Sequence, residues 1–470
     1  MSVCYITIVL FLSILSILLG TLIYLLPMLK IMRALRPKPI SIYAGWWVIS
    51  APFLAAMLTV GSGQYAFGLL IEPLEQEFGW TRTQINLSLS FTAVGSFIAP
   101  YLGYIMDRHG AKNILVASMA LIVVSYLLRP MMTELWHWYA LSFIQYLGFS
   151  GASILPAGRL VGIWFQRSRG RVMGITLMGN NFGGMTFPYI TTFALGLSWH
   201  WAFISLSPWQ GTYLLFGVIG ILMTIYALAV VREFPTREQI RSRGRDAAFS
   251  EGAADDAPVT LTGWSLREAV RTKAFYAIMI AMTLGTFTYT AVLTQVAAHL
   301  TEEGISPGVA ASALSLLAGC GMCGKFFMGL LADRITARYA LMVDLLGQAG
   351  FLVLLTLYAG VTVSLPMLWT GAELPLVWIV VGCFGFFLGA FGALTPLSVQ
   401  DAFGVKFYGS IMGVMSITMG ISSFLGPILA GWSFDTTGSY RIAFLLVAAL
   451  FFTGAMSLIL ASNPKRSIAS

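Results

Sequence analysis

The sequence predicts an all-α membrane protein of twelve spans arranged as two repeating sets of six, and three observations predict it. The 470 residues are 58% hydrophobic and only 10% charged, with a mean hydropathy of +0.82, which is more apolar surface than one soluble core can hide. Apolar runs of roughly 20 residues recur between short polar loops, each long enough to cross a hydrocarbon layer at about 1.5 Å per residue. A short motif, "GYIMDRHGAKN" from Gly103 to Asn113 and "GLLADRITARY" from Gly329 to Tyr339, follows the second and the eighth run and marks an internal duplication. The alternating ~10-residue segments of a membrane β-barrel do not occur.

Taken in chain order, residues 1–42 hold "ITIVLFLSILSILLGTLIYLLPML" followed by Lys30, Arg33, Arg36 and Lys38. The run is too long, and lacks the charged leader, for a signal peptide. Two readings stand: an extra N-terminal hydrophobic helix with the N-terminus outside, or a translation start at Met28 or Met32. Neither alters the function.

Spans then begin near Tyr43, Ile85, Ile114, His137, Arg171 and Gln210, forming an N-terminal six-helix bundle over 43–232. A second set begins near Lys273, Pro307, Tyr339, Leu376, Gly409 and Arg441, forming a C-terminal bundle over 273–461. Residues 233–272 between them contain "REQIRSRGRDAAFSEGAADDAP", poor in apolar residues, and read as a linker. Its end, "TGWSLREAVRTKAF", offers Thr262 as an N-cap, with Trp264, Leu266, Ala269 and Val270 at helical spacing among Arg267, Arg271 and Lys273. An interfacial helix feeding span seven is expected there. Residues 462–470 form a tail.

The net charge of +8 and the pI near 9.3 could suggest nucleic acid, but the placement of the cations decides otherwise. About 22 of the 27 Lys and Arg fall in alternate loops that share one side, about three on the other side and two inside spans. That side, with the linker and the C-terminal tail, is therefore expected to be cytoplasmic in an inner or plasma membrane. The partners expected are the lipid bilayer and a small solute, with no nucleic acid and no further subunit. Cys4, Cys320, Cys323 and Cys383 lie in apolar runs, which argues against a disulfide framework, and the lone CxxC without a second pair reads as helix packing. His109, His137, His200 and His299 lie near loops or span ends without ligand spacing, and there is no nucleophile elbow or phosphate-cradling glycine loop. No enzyme and no cofactor are expected. A transporter-like sensor would need a soluble domain that the linker and tail do not offer.

Two cations stand inside apolar runs. Lys325, in "SLLAGCGMCGKFFMGLLADRI", shares a helical face with Ala318, Gly321, Gly329 and Ala332, while Phe326, Phe327, Leu330 and Leu331 point away. Small residues permit close helix approach, so Lys325 is expected to face protein or a cavity. Its insertion costs roughly 2.5–3.5 kcal/mol, and snorkelling to the headgroups is the alternative to a substrate role. Arg159, in "ILPAGRLVGIWF", is the second candidate cation, with the same alternative. Asp344, early in span nine, reads as one member of a helix-end ion pair, with proton coupling as the alternative. Around the repeated motif, Gly103, Asp107, Arg108 and their counterparts Gly329, Asp333, Arg334 read as a conformational latch: the glycine lets helices approach and the aspartate meets a helix N-terminus or an arginine.

On these residues the chain resembles a major facilitator superfamily transporter, from Tyr43 to Ala461. Within it the chain is similar to the monocarboxylate and oxalate/formate branch, through "YAGWWV", "FGLLIEPLEQEFGWTRTQI", "WFQRSRGRVMGITLMGNNFGG", "HLTEEGISPGVAASALSLL" and "GPILAGWSFDTTGSYRIAFLL". The resemblance implies two pseudo-symmetric bundles rocking about a midplane site, and secondary transport of a small organic anion with a coupling proton or counter-anion left open. It implies that Lys325 occupies the place of a carboxylate-binding arginine of span eight. It also implies that Gln64, Tyr65, Gln145, Tyr146, Asn180, Asn181, Tyr289 and Gln295 lie in spans lining the path, where each is as well suited to an interhelical hydrogen bond. Three departures count against lactate–proton symport and oxalate exchange. "YAFGLLIEP" lacks the branch's span-one lysine, Gly321 stands where an acid precedes the span-eight cation, and "GSIMGVMSITMGISSFLGP" has no second cation. A permease for an uncharged solute is the alternative.

Overall fold

A computed structural model describes residues 43–165, 168–201, 204–236, 261–305, 307–358, 364–366 and 373–461. The N-terminal apolar run, most of the linker and the tail lie outside the described residues. Ten helices are long and apolar enough to cross a membrane, and Leu135–Leu147 with Ser150–Trp164, bent by 43°, makes an eleventh span. The twelfth, span five (Arg169–Leu195), has 27 residues and so is about 40 Å long; its polar "GNN" lowers its hydropathy.

The other spans are two (Arg82–His109), three (Ala111–Met131), six (Pro208–Val230), eight (Pro307–Ile335), nine (Ala337–Tyr358), ten (Leu376–Phe403), eleven (Tyr408–Thr437) and twelve (Arg441–Ser457). Spans one and seven are interrupted. Span one runs Ala44–Val60, a π-turn Gly61–Tyr65, then Phe67–Phe78; span seven runs Lys273–Gly285, a π-turn Thr288–Val292, then Val296–Glu302. The two π-turns occupy equivalent mid-depth places in the two halves. Such turns concentrate where a helix carries function, because the extra residue frees backbone groups and re-aims side chains.

The duplication extends to the turns. Span three begins after Gly110 (φ 88°) and span nine after Thr336 (φ 85°), the same positive-φ corner in each half. Glycine adopts it freely, whereas the threonine carries backbone strain there. Short hairpins, Trp199–Trp201 with Ile204–Leu206 and Ser364–Pro366 with Glu373–Pro375, follow spans five and nine. Before span seven the expected helix is a single turn, Leu266–Ala269. Its cap is Ser265 and not Thr262, because Ser265 and Glu268 bond each other's backbone N–H in a capping box. Trp264 N donates to Phe403 O at 2.8 Å, which docks the linker's end on span ten.

Each half buries its own aromatic core, with Tyr126, Trp138, Trp164, Tyr213 and Phe216 in the first and Phe384, Phe391, Phe403 and Phe451 in the second. The halves meet along two pairs of spans, and glycine makes both contacts possible. Gly103 of span two lies against the backbone of Gly409 in span eleven, and Gly170 of span five against Gly329 of span eight, with no room for a Cβ at either. These contacts lie at the end carrying the two Asp-Arg motifs. The face of span five that meets span eight at Gly170 and Gly174 continues toward the other end as Met185 and Thr192, both exposed. The halves are therefore closed at the Asp-Arg end and parted beyond mid-depth.

Candidate functional site

Lys325 sits where the closed contact gives way to the parted one. Its side chain leaves span eight, crosses to the other half and donates from Nζ to Leu177 O at 3.0 Å and to Asn181 Oδ1. Asn181 in turn donates from Nδ2 to Ala318 O of span eight at 2.9 Å, so the two spans exchange hydrogen bonds. Gly174, against the Lys325 backbone, lets the helices come this close. Lys325 is only 6% exposed, and among the described residues no carboxylate pairs with it. Every acceptor it has is neutral. The small-residue face read from the sequence is the buried one: Gly321 meets Gly389 and Gly329 meets Gly170, while Phe327 is exposed.

The uncharged candidates divide. Gln64 and Tyr65 are exposed on the π-turn of span one, with the Tyr65 ring against Gly184 of span five. Tyr289, on the π-turn of span seven, donates from its hydroxyl to Leu388 O at 3.1 Å. Gln295 is partly buried where span seven resumes, and Asn180 is half-buried with Oδ1 lacking a partner.

Arg159, expected among the substrate candidates, is not brought to Lys325. Its Nη1 binds Asp107 Oδ1 at 3.0 Å and its Nε binds Glu233 Oε1 at 2.6 Å, with a longer contact of 3.4 Å to Lys406 O of the second half. Two carboxylates already saturate its charge, and neither was evident as a partner from the local sequence. Asp107 and Asp333 lie within the last turns of spans two and eight, not in loops beyond them. Each reaches into the other half. Asp107 accepts from Gly409 N (2.9 Å), Ser410 N (2.7 Å) and Ser410 Oγ (2.6 Å) at the start of span eleven. Asp333 accepts from Gly170 N (2.6 Å) and Arg171 N (3.1 Å) at the start of span five. Carboxylates thus meet the positive ends of two helix dipoles. Arg108 stacks over Tyr104 at 4.4 Å and Arg334 is exposed.

Sequence reasoning misses Arg129, because "LLRPMM" reads as the end of a span. The residue is buried, and its guanidinium donates to Tyr213 OH (2.8 Å), Ser142 Oγ (3.2 Å) and Gln145 Oε1 (2.6 Å). It also stands over the rings of Trp138 (4.3 Å) and Tyr213 (4.6 Å). No carboxylate pairs with it among the described residues, so neutral acceptors and ring faces hold the charge. Gln145 and Tyr146 belong to this network and not to the path: Gln145 Nε2 donates to Tyr126 OH, which bonds Ser62, and Tyr146 OH reaches Gly63 O. Ser62 and Gly63 are the buried side of the π-turn that exposes Gln64 and Tyr65. Arg129→Met is expected to lower stability by about 3 kcal/mol, since three buried partners lose a charged donor, read as a drop in thermal unfolding temperature. A shift near zero would mean that water replaces the guanidinium.

Asp344 is a further correction. It is fully buried and has no cation partner among the described residues; its one bond is from Gln348 Nε2 at 2.8 Å. The start of span nine is covered by its bundle, so no helix-end ion pair forms. Cys320, Cys323 and Cys383 line an apolar crevice of about 760 Å³ with Trp378 and Phe386, consistent with packing side chains.

The profile of the Major Facilitator Superfamily matches residues 52–372. The chain belongs to that superfamily. It is 24% identical over 432 residues to monocarboxylate transporter 12 of Mus musculus, covering 89% of this chain and 85% of the relative. It is 25% identical to the hexuronate transporter of Bacillus subtilis, covering 82% and 87%. Among solved structures, the major facilitator FucP in its outward conformation superposes with a TM-score of 0.64 at 18% identity, over 90% of this chain and 99% of that one. Membership makes this chain a multi-pass membrane transporter and not an enzyme, and its sequence is similar to those of monocarboxylate transporters.

Proposed function

We propose that this major facilitator is a secondary active transporter of a small, monocarboxylate-like organic anion, working by alternating access with Lys325 as the anion-binding cation. One observation carries the reading: a buried lysine at the junction of the halves is held only by neutral acceptors. A lysine so placed is under-compensated, and a substrate carboxylate supplies the missing charge. The ammonium is a compact point charge without a bidentate fork, so the site suits a range of carboxylates more than one planar geometry. The names of the relatives, a monocarboxylate transporter and a hexuronate transporter, support an acidic substrate class.

Gln64, Tyr65, Asn180, Asn181, Tyr289 and Gln295 complete the proposed site, and Asn181 releases Lys325 when substrate arrives. Arg159 moves from the substrate set to the latch. Asp107, Asp333 and the glycines beside them hold the Asp-Arg end shut, and that end is cytoplasmic by the charge bias of the loops. The test is a thermal-shift screen of the purified protein against small carboxylates and uncharged solutes of matched size. A carboxylate present at about 100 times its Kd stabilises the native state by roughly 2.7 kcal/mol. Stabilisation by uncharged solutes alone would turn the reading to a permease for a neutral solute.

A further inference from the structure

We propose that a chloride ion binds beside Arg129, in a small polar cavity behind the π-turn of span one, and braces that turn. Neither Lys325 nor the space between the halves takes part, so the site stands apart from the proposed substrate site. The cavity measures about 10 Å³, and Ser62, Tyr126, Arg129, Ser142, Gln145 and Tyr213 are among the residues that line it. It has room for a single monatomic or water-sized guest, and a carboxylate is too large.

The hydrogen bonds of the walls decide what that guest is. Of the five N–H donors of a guanidinium, Arg129 uses three, on Tyr213, Ser142 and Gln145. Its Nε is buried without an acceptor. The hydroxyls of Tyr213 and Ser142 accept from Arg129, and among the described residues neither finds an acceptor for its own proton. The other oxygens nearby are engaged: Ser62 Oγ donates to Leu58 O and bonds Tyr126 OH, Tyr126 OH accepts from Gln145 Nε2, and Gly63 O accepts from Tyr146 OH. The walls therefore carry spare donors and a buried positive charge, and they lack an acceptor. Water supplies the acceptor alone. An anion supplies the acceptor and the missing charge together.

No protein carboxylate fills this place among the described residues of the first bundle. Glu72 accepts from Gln76, Glu75 pairs with Arg82, and Glu77 accepts from Ser207. Glu134 is exposed at the start of span four, and Asp107 and Glu233 hold Arg159 at the Asp-Arg end. A buried guanidinium held only by neutral acceptors and ring faces is under-compensated. Arg129 stands about 27 Å along span three from the Asp-Arg end, near the opposite membrane face and its dissolved ions. The effect of the ion follows from its neighbours. Ser62 and Gly63 are the buried side of the π-turn that exposes Gln64 and Tyr65. An ion held by Arg129 secures the bonds that run through Gln145 and Tyr126 to Ser62, and so favours the native form of the turn.

Thermal unfolding of the purified full-length protein tests this, with sodium chloride replacing sodium methanesulfonate, an anion too large for the cavity, at constant ionic strength. The unfolding temperature is expected to rise by roughly 2–4 °C and to saturate, and bromide is expected to act alike. Tyr213→Phe removes a spare donor and is expected to raise the half-saturating chloride concentration at least about tenfold, with a smaller rise for Ser142→Ala. Arg129→Met is expected to abolish the effect. Lys325→Ala is expected to keep it, which separates this site from the substrate site whatever the fate of the carboxylate reading. Anomalous scattering from bromide-soaked crystals is expected to place one ion within hydrogen-bond distance of Arg129 Nε. Equal unfolding temperatures in the two salts, a rise that is unchanged in Tyr213→Phe and Arg129→Met or lost in Lys325→Ala, or a cavity without bromide overturns the proposal and leaves water as the guest.

Discussion

Replacing Lys325 by alanine is expected to weaken carboxylate binding by about a thousandfold. A carboxylate ~4 Å from an ammonium at an effective dielectric near 20 gains about 4 kcal/mol, and each ~1.4 kcal/mol is a factor of ten. The ground state sharpens the expectation. Lys325 already holds Leu177 O and Asn181 Oδ1, so substrate exchanges neutral acceptors for a charged one and does not create a contact from nothing. Lys325→Arg keeps the charge but sets a larger, planar fork where a compact ammonium fits, and is expected to retain part of the affinity. Asn181→Ala removes a competitor, so its affinity should stay within a few-fold or improve. Calorimetric titration with the best carboxylate from the thermal-shift screen makes the measurement. Normal binding by Lys325→Ala would end the organic-anion reading.

The parts of this site differ in how far the sequence reveals them. The spans were legible because hydropathy and period are local: the described helices begin within three residues of the positions read from the pattern. Lys325 was legible because one charge in an apolar run stands out, and the glycines on its face reported the close packing. Its partner was not, since Asn181 lies 144 residues away on the other half. Arg159 and Asp344 failed for one reason in opposite directions. Depth along a span can be counted from the sequence, but cover by neighbouring helices cannot. Arg159 therefore gained two carboxylates that no local pattern shows, and Asp344 lost the partner its helix-end position suggested. The cap at Ser265 was readable, because Ser265 and Glu268 have the capping-box spacing. Thr262 lacks it.

Removing Asp107 is expected to disturb the balance between the two ends of the transporter far more than removing Asp333. The two residues are counterparts, but their surroundings are unequal. The Asp107 and Arg159 side chains are 4% and 5% exposed, whereas Asp333 and its arginine, Arg171, are 10% and 50% exposed and stand 3.6 Å apart. Asp107→Ala takes three acceptor bonds from the start of span eleven and leaves Arg159 with Glu233 alone, a loss of about 3–5 kcal/mol for a buried pair. Some of this falls on the closed arrangement only, because the bonds to Gly409 and Ser410 cross between the halves. A shift of about 3 kcal/mol changes the ratio of closed to open Asp-Arg ends by over a hundredfold, while Asp333→Ala, losing a partly exposed pair, is expected to change it roughly fivefold. Asp107→Asn still accepts from the span-eleven backbone and should fall between. Spin labels placed on either side of the Asp-Arg end report the distribution directly, and carboxylate affinity measured beside it should move only a few-fold. Equal shifts for the two aspartates, or a selective loss of affinity with the distance distribution unchanged, would remove the latch assignment and return Arg159 to the substrate candidates.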